Sequence, residues 1–118
     1  MNETRLYCNE LRTADWLRLV TWYRDIAGLR VVVRMTPERY ALLAGGDGRL
    51  AILGRDEVGP ASARWSLAFE VPALETVRNR LRHAGQEVPE PTPTAEGYHE
   101  LVVRDPDGNR VRFFEWPG

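Results

Sequence analysis

The chain has 118 residues, with 17 acidic against 16 basic side chains and a formal net charge of −1. That length suits one domain with a modest core, and arginines scattered among carboxylates exclude an electrostatic footprint for nucleic acid or an anionic membrane. The longest apolar runs, Val31 to Val33 and Tyr40 to Ala44, are too short to span a bilayer. The first five residues lack the apolar core of a signal peptide, and a lone cysteine, Cys8, excludes an intrachain disulfide and fits a reducing compartment; a cytoplasmic protein is the expectation.

Leu6 to Thr13 reads as a strand and Ala14 to Ile26 as an amphipathic helix, with Leu17, Val20, Trp22 or Tyr23, and Ile26 near helical spacing. Asp15 falls in the first turn, where a carboxylate suits the macrodipole, and Gly28 is a natural stop. Three short strands follow, about Leu29 to Met35, Arg39 to Ala44 and Arg49 to Leu53, broken by Thr36-Pro37 and Gly45-Gly46-Asp47-Gly48. Asp56 to Ser62 has the composition of a linker.

The second half repeats the order. Trp65, Leu67, Phe69 and Val71 share one face of a strand and Ser66, Ala68 and Glu70 the other. Pro72 opens a helix, Leu74, Val77, Leu81 and Ala84 form its buried stripe, and Gly85 ends it. A short strand near Val88, one from His99 to Arg104 and one from Arg110 to Trp116 complete the unit. The run from Pro89 to Thr94 is expected to be extended and stiff, as a spacer or as a rim. Asp105-Pro106-Asp107-Gly108-Asn109 reads as the turn of a β-hairpin, with Gly108 supplying a positive φ. The expected class is α+β: two βαβββ modules forming a curved, half-open mixed sheet with helices on the outer side. Module 1 covers about 1–55, the linker 56–63, and module 2 about 64–118.

The hairpin around Asp105 to Phe113, the Trp22-Tyr23-Arg24-Asp25-Ile26-Ala27-Gly28-Leu29 segment, Ser66 to Val71 and Gly97-Tyr98 together resemble the vicinal oxygen chelate superfamily, the glyoxalase, bleomycin-resistance and extradiol-dioxygenase group. In metal-dependent members the resemblance implies four inward metal-ligand positions. Counting by motif, they fall here on Cys8, Ala51, Ser66 and Arg112, with Tyr7 or Asn9 the alternatives if the first strand slips by one residue. A divalent ion bridging substrate oxygens needs three or four His or carboxylate ligands. Ala51 offers none, Ser66 is a poor ligand, and Arg112 is a permanent cation. No metal and no other cofactor is expected.

Alternation gives the inward side chains. They are Cys8, Glu10 and Arg12; Arg49, Ala51 and Leu53; then Ser66, Ala68, Glu70, Glu100, Val102, Arg112, Phe114 and Trp116. Arg112 reads either as a grip on an anionic ligand or as half of an internal ion pair with Glu100 or Glu70. Phe114 and Trp116 form either an aromatic wall or packing at a core or dimer interface. His83 and His99 read as exposed, and Cys8 as a small buried thiol. The leading expectation is a metal-free protein, as a homodimer, binding a small anionic or aromatic molecule in the cavity of the curved sheet through Cys8, Glu10, Arg49, Ala51, Ser66, Ala68, Glu70, Glu100, Arg112, Phe114 and Trp116. The alternatives are an enzyme, either a metal-dependent lyase, isomerase or dioxygenase or an acid–base catalyst using Glu100 and Arg112, and a regulatory module whose cavity is self-filled.

Overall fold

Two runs of one strand, one helix and three strands follow each other in the computed structural model, which describes residues 3–117. They are β1 (Asn9–Thr13), α1 (Trp16–Asp25), β2 (Arg30–Met35), β3 (Tyr40–Gly45) and β4 (Gly48–Gly54), then β5 (Leu67–Glu70), α2 (Leu74–His83), β6 (Thr92–Pro93), β7 (His99–Arg104) and β8 (Arg110–Glu115). The chain divides into two compact units, Met1–Gly59 and Pro60–Gly118. Each holds its own four-stranded mixed sheet, ordered β1-β4-β3-β2 and β5-β8-β7-β6, with the outer first strand parallel to its neighbour and the other pairs antiparallel. The class is α+β with two βαβββ modules.

In the first unit α1 buries Trp16, Leu19, Val20, Trp22 and Tyr23, while Leu17 is exposed. The expected stripe was thus one position off at its start. The indole N–H of Trp16 donates to the Ile52 carbonyl at 3.1 Å and fixes which side of the helix meets β4. Full burial of side chains the size of Leu19 or Ile52 contributes about 1.5–3 kcal/mol each. Asp15 is the N-cap, its carboxylate accepting weakly from the Arg18 N–H at 3.4 Å. Gly28, at φ 81, ends the helix, and the Leu29 N–H reaches back to the Tyr23 carbonyl at 3.0 Å. The first strand begins at Asn9, because Leu6 and Tyr7 stand exposed ahead of the ladder.

In the second unit α2 buries Leu74, Val77 and Leu81, and Leu67, Leu101, Val111 and Phe113 are buried on the alternate positions of the sheet. Four expectations are corrected here. Trp65 is exposed and precedes β5 instead of sharing the face of Leu67 and Phe69. The helix starts at Leu74 and not Pro72, since the Val71 N–H still donates to the Phe114 carbonyl at 2.9 Å and holds the chain on the sheet. Ala73, the N-cap, makes no side-chain cap; Glu115 supplies one from β8 by accepting the Leu74 N–H at 3.1 Å. Ala84 is the exposed C-cap and not part of the buried stripe. The third strand of the unit is Thr92–Pro93, inside the proline-rich run, and not near Val88. Its edge place lets Pro93 sit there without a missing ladder bond.

Candidate functional site on the second sheet

Burial of Leu67, Leu101, Val111 and Phe113 on one parity turns Ser66, Ala68, Glu70, Glu100, Val102, Arg112 and Phe114 to the opposite, open face of the second sheet. The register sets their neighbours. Arg112 lies between Ala68 on β5 and Val102 on β7, and Phe114 lies between Glu70 and Glu100. Arg112 therefore reaches one pair along the sheet. Its Nε donates to Glu100 Oε2 at 2.7 Å, and its Nη2 donates to the Tyr98 hydroxyl at 2.7 Å. The two charged side chains are 21% and 17% exposed, so the pair is shielded but not dry. These hydrogen bonds, to Tyr98 and then Glu100, push the guanidinium above its ordinary range against the opposing effect of burial. Of the two readings of Arg112, the internal ion pair with Glu100 is the one present. Glu70 is exposed and makes no ion pair among the described residues.

Beside this pair three rings meet. Tyr98 lies 4.7 Å from Phe114 and 5.1 Å from Trp116, centroid to centroid, and Phe114 lies 6.0 Å from Trp116. The Trp116 contacts are edge-to-face, at 79° and 89°, a geometry that adds about 0.5–1.5 kcal/mol per pair. Trp116 keeps 54% of its surface exposed. Tyr98 is the residue that the strand reading missed. The signal for it is the alternation itself, two residues back from Glu100, although Tyr98 lies just ahead of β7. Ser66 is not part of this group, since its hydroxyl accepts from Arg110 Nη1 at 2.9 Å.

The other predicted site residues lie on the first unit's sheet. Glu10 pairs with Ala51, and Ala51 with Leu42, while Leu11 and Thr13 are buried on the other parity. This register puts Glu10 on the same face as Arg49 and Ala51 and Asn9, opposite Leu50, on the other, with Cys8 just ahead of the ladder. Cys8 is half-buried; burial and then the Glu10 charge push its thiol up, away from reactivity. Tyr40 is also pushed up, by burial and then by Tyr7, Cys8 and Glu10. The Arg49 guanidinium stands 5.8 Å over the Tyr7 ring.

The donor set does not fit a catalytic divalent ion. Ala51 has no donor and is 1% exposed, the Ser66 hydroxyl is engaged by Arg110, and Arg112 is a cation locked to Glu100. Among the described residues no three His, Cys, Asp or Glu side chains converge as a metal site. His83 and His99 are both exposed.

The family model described as the Glyoxalase/Bleomycin resistance protein/Dioxygenase superfamily matches residues 6–113. The chain belongs to this superfamily. Among solved structures, it is similar to lactoylglutathione lyase from Agrobacterium tumefaciens (17% identity, 98% of this chain and 96% of that one, TM-score 0.72). It is also similar to the glyoxalase family protein from Enterococcus faecalis (21%, 98% and 100%, TM-score 0.74) and to virulence protein STM3117 from Salmonella typhimurium (20%, 99% and 100%, TM-score 0.69). No curated protein matches it in sequence. At these identities the likeness fixes the superfamily fold, and the chemistry has to be read from this chain's own side chains. No helix among the described residues is long and apolar enough to cross a membrane.

Proposed function

We propose that this superfamily member binds a small planar aromatic molecule, without a metal ion, on the open face of β7 and β8. The observation that carries this reading is the cluster of Tyr98, Phe114 and Trp116, packed ring against ring with Trp116 half exposed, beside a guanidinium. A flat ligand covering Trp116 gains stacking and removes apolar surface from water. Binding is favoured over acid–base catalysis because a proton taken by Glu100 would cancel the charge that answers Arg112 across their 2.7 Å bond. The expected homodimer belongs to the same reading.

The test is calorimetric titration with naphthalene-2-carboxamide, a neutral planar probe. Saturable binding at one probe per chain, with the probe recovered unchanged, is expected. Trp116→Ala should weaken it about tenfold, the loss of one ring contact of about 1.4 kcal/mol. Absence of binding, or binding indifferent to Trp116→Ala, would remove the reading. Conversion of the probe would put an enzyme in its place.

A further inference from the structure

An arginine beside an aromatic cluster invites the conclusion that the ligand is an aromatic acid. The geometry points to the opposite: we infer that Glu100 makes the platform reject anions, so that its ligand is a planar aromatic molecule whose polar group is an uncharged hydrogen-bond acceptor, such as an amide or ring carbonyl. This inference rests on the proposed binding role of the same rings.

Three observations carry it. First, the Arg112 charge is already answered. Glu100 Oε2 sits on Nε at 2.7 Å, and the pair is neutral as a unit. Second, Arg112 still has donor capacity. Nε and Nη2 are engaged, by Glu100 and by the Tyr98 hydroxyl, whereas Nη1 donates no hydrogen bond among the described residues. A neutral acceptor satisfies such an N–H without bringing a second negative charge against Glu100. Third, the surrounding charges are carboxylates. Phe114 stands in the ladder between Glu70 and Glu100, and the Tyr98 hydroxyl donates to Glu96 Oε1 at 3.3 Å. Three carboxylates and one guanidinium thus edge the rings, and a carboxylate ligand meets net repulsion. The nearest other cations on this face, Arg104 and Arg110, lie at the turn end of the hairpin, where they donate to the Gly108 carbonyl and the Ser66 hydroxyl.

Naphthalene-2-carboxamide and naphthalene-2-carboxylate share shape and ring area and differ in charge, so their affinity ratio isolates the effect. The wild-type chain is expected to bind the amide at least about tenfold more tightly, equivalent to ~1.4 kcal/mol. Salt raised from about 0.05 M to about 0.5 M should narrow the ratio, because the discrimination is electrostatic. Glu100→Gln keeps a side chain able to accept from Arg112 and removes the charge. It should bring the carboxylate up about tenfold while moving the amide less than about threefold.

A wild-type preference for the carboxylate would overturn the inference and leave the binding role standing. So would a Glu100→Gln ratio equal to wild type. If neither probe binds the wild type, both fall together, and a Trp116→Ala shift in sedimentation would then assign the rings to an interface between copies of the chain. Should Glu100→Gln fail to fold by circular dichroism, Arg112→Gln reads the same point from the other side. The amide should lose about tenfold and the carboxylate stay weak, whereas a specific loss of carboxylate binding would refute the charge assignment.

Discussion

A single carboxylate holds the hairpin that positions the candidate site. Asp105 is 4% exposed, and its Oδ1 accepts the N–H groups of Asp107 and Asn109 at 3.0 and 2.9 Å, while its Oδ2 accepts the Asn109 side-chain amide at 2.8 Å. Gly108, at φ 87, closes the turn. The register that follows sets Arg112 opposite Val102 and Phe114 opposite Glu100, so an error here would misplace every group on the open face. Asp105→Ala strands those donors and should cost about 2–4 kcal/mol, read as a lower urea midpoint with an unchanged slope. Asp107→Asn should stay within about 0.5 kcal/mol, because Asp107 Oδ2 is buried without a protein partner and supports no bond that the substitution removes. The turn itself was plain in the sequence from Pro106, Asp107 and Gly108. Which aspartate is its hub was not, because that depends on how the folded loop brings three donors to one carboxylate.

At the scale of elements, strong local pattern was readable and weak local pattern was not. The alternation of β5, β7 and β8 and the glycine stops of both helices needed only neighbours in sequence. β6 needed β7: Thr92 and Pro93 form a strand only by pairing with Glu100 and His99, and nothing local separates them from the extended residues around Val88. The same dependence hid Tyr98, whose ring is placed by Phe114 and Trp116 on another strand and beyond it. Leu17 and Trp16 compete on helical spacing alone, and a hydrogen bond to Ile52 decides between them. So short a strand as β6 needs another anchor, and Arg78 provides it from α2. Its guanidinium donates to Glu75 at 2.8 Å, Glu90 at 3.1 Å and the Pro89 carbonyl at 3.2 Å, with the side chain 14% exposed. Arg78→Ala should therefore loosen the run into β6 more than it harms the chain as a whole. Amide exchange at Thr94, whose N–H is held by the Tyr98 carbonyl at 2.8 Å, should speed at least about tenfold while α1 stays protected. Total stability should fall by about 1–2 kcal/mol. Uniform exchange across both helices would show that Arg78 supports the core and not this segment.

Taken whole, the chain repeats one ladder order in its two units and gives corresponding strand positions different chemistry. The first unit places Ala51, 1% exposed, and Leu42, 5% exposed, at the middle of its sheet. The second places a guanidinium at the corresponding point, opposite Ala68 and Val102. A catalytic divalent ion asks for three or four His or carboxylate donors, whereas Ala51 on β4 is a methyl group and Arg112 on β8 a cation. A dication ~5 Å from Arg112 would be repelled by several kcal/mol even at an effective dielectric of ~20, and the charge of Glu100 is already answered by Arg112. Calorimetric titration of metal-stripped protein with Ni²⁺, Zn²⁺, Mn²⁺ and anaerobic Fe²⁺ should therefore show no binding of micromolar strength at one ion per chain. Arg112→Glu alone should not create it, because Ala51 and Ser66 still contribute no charged donor and the new carboxylate faces Glu100. One tight ion per wild-type chain would mean that the ligands come from other side chains, and it would move a metal-dependent reaction ahead of the binding role.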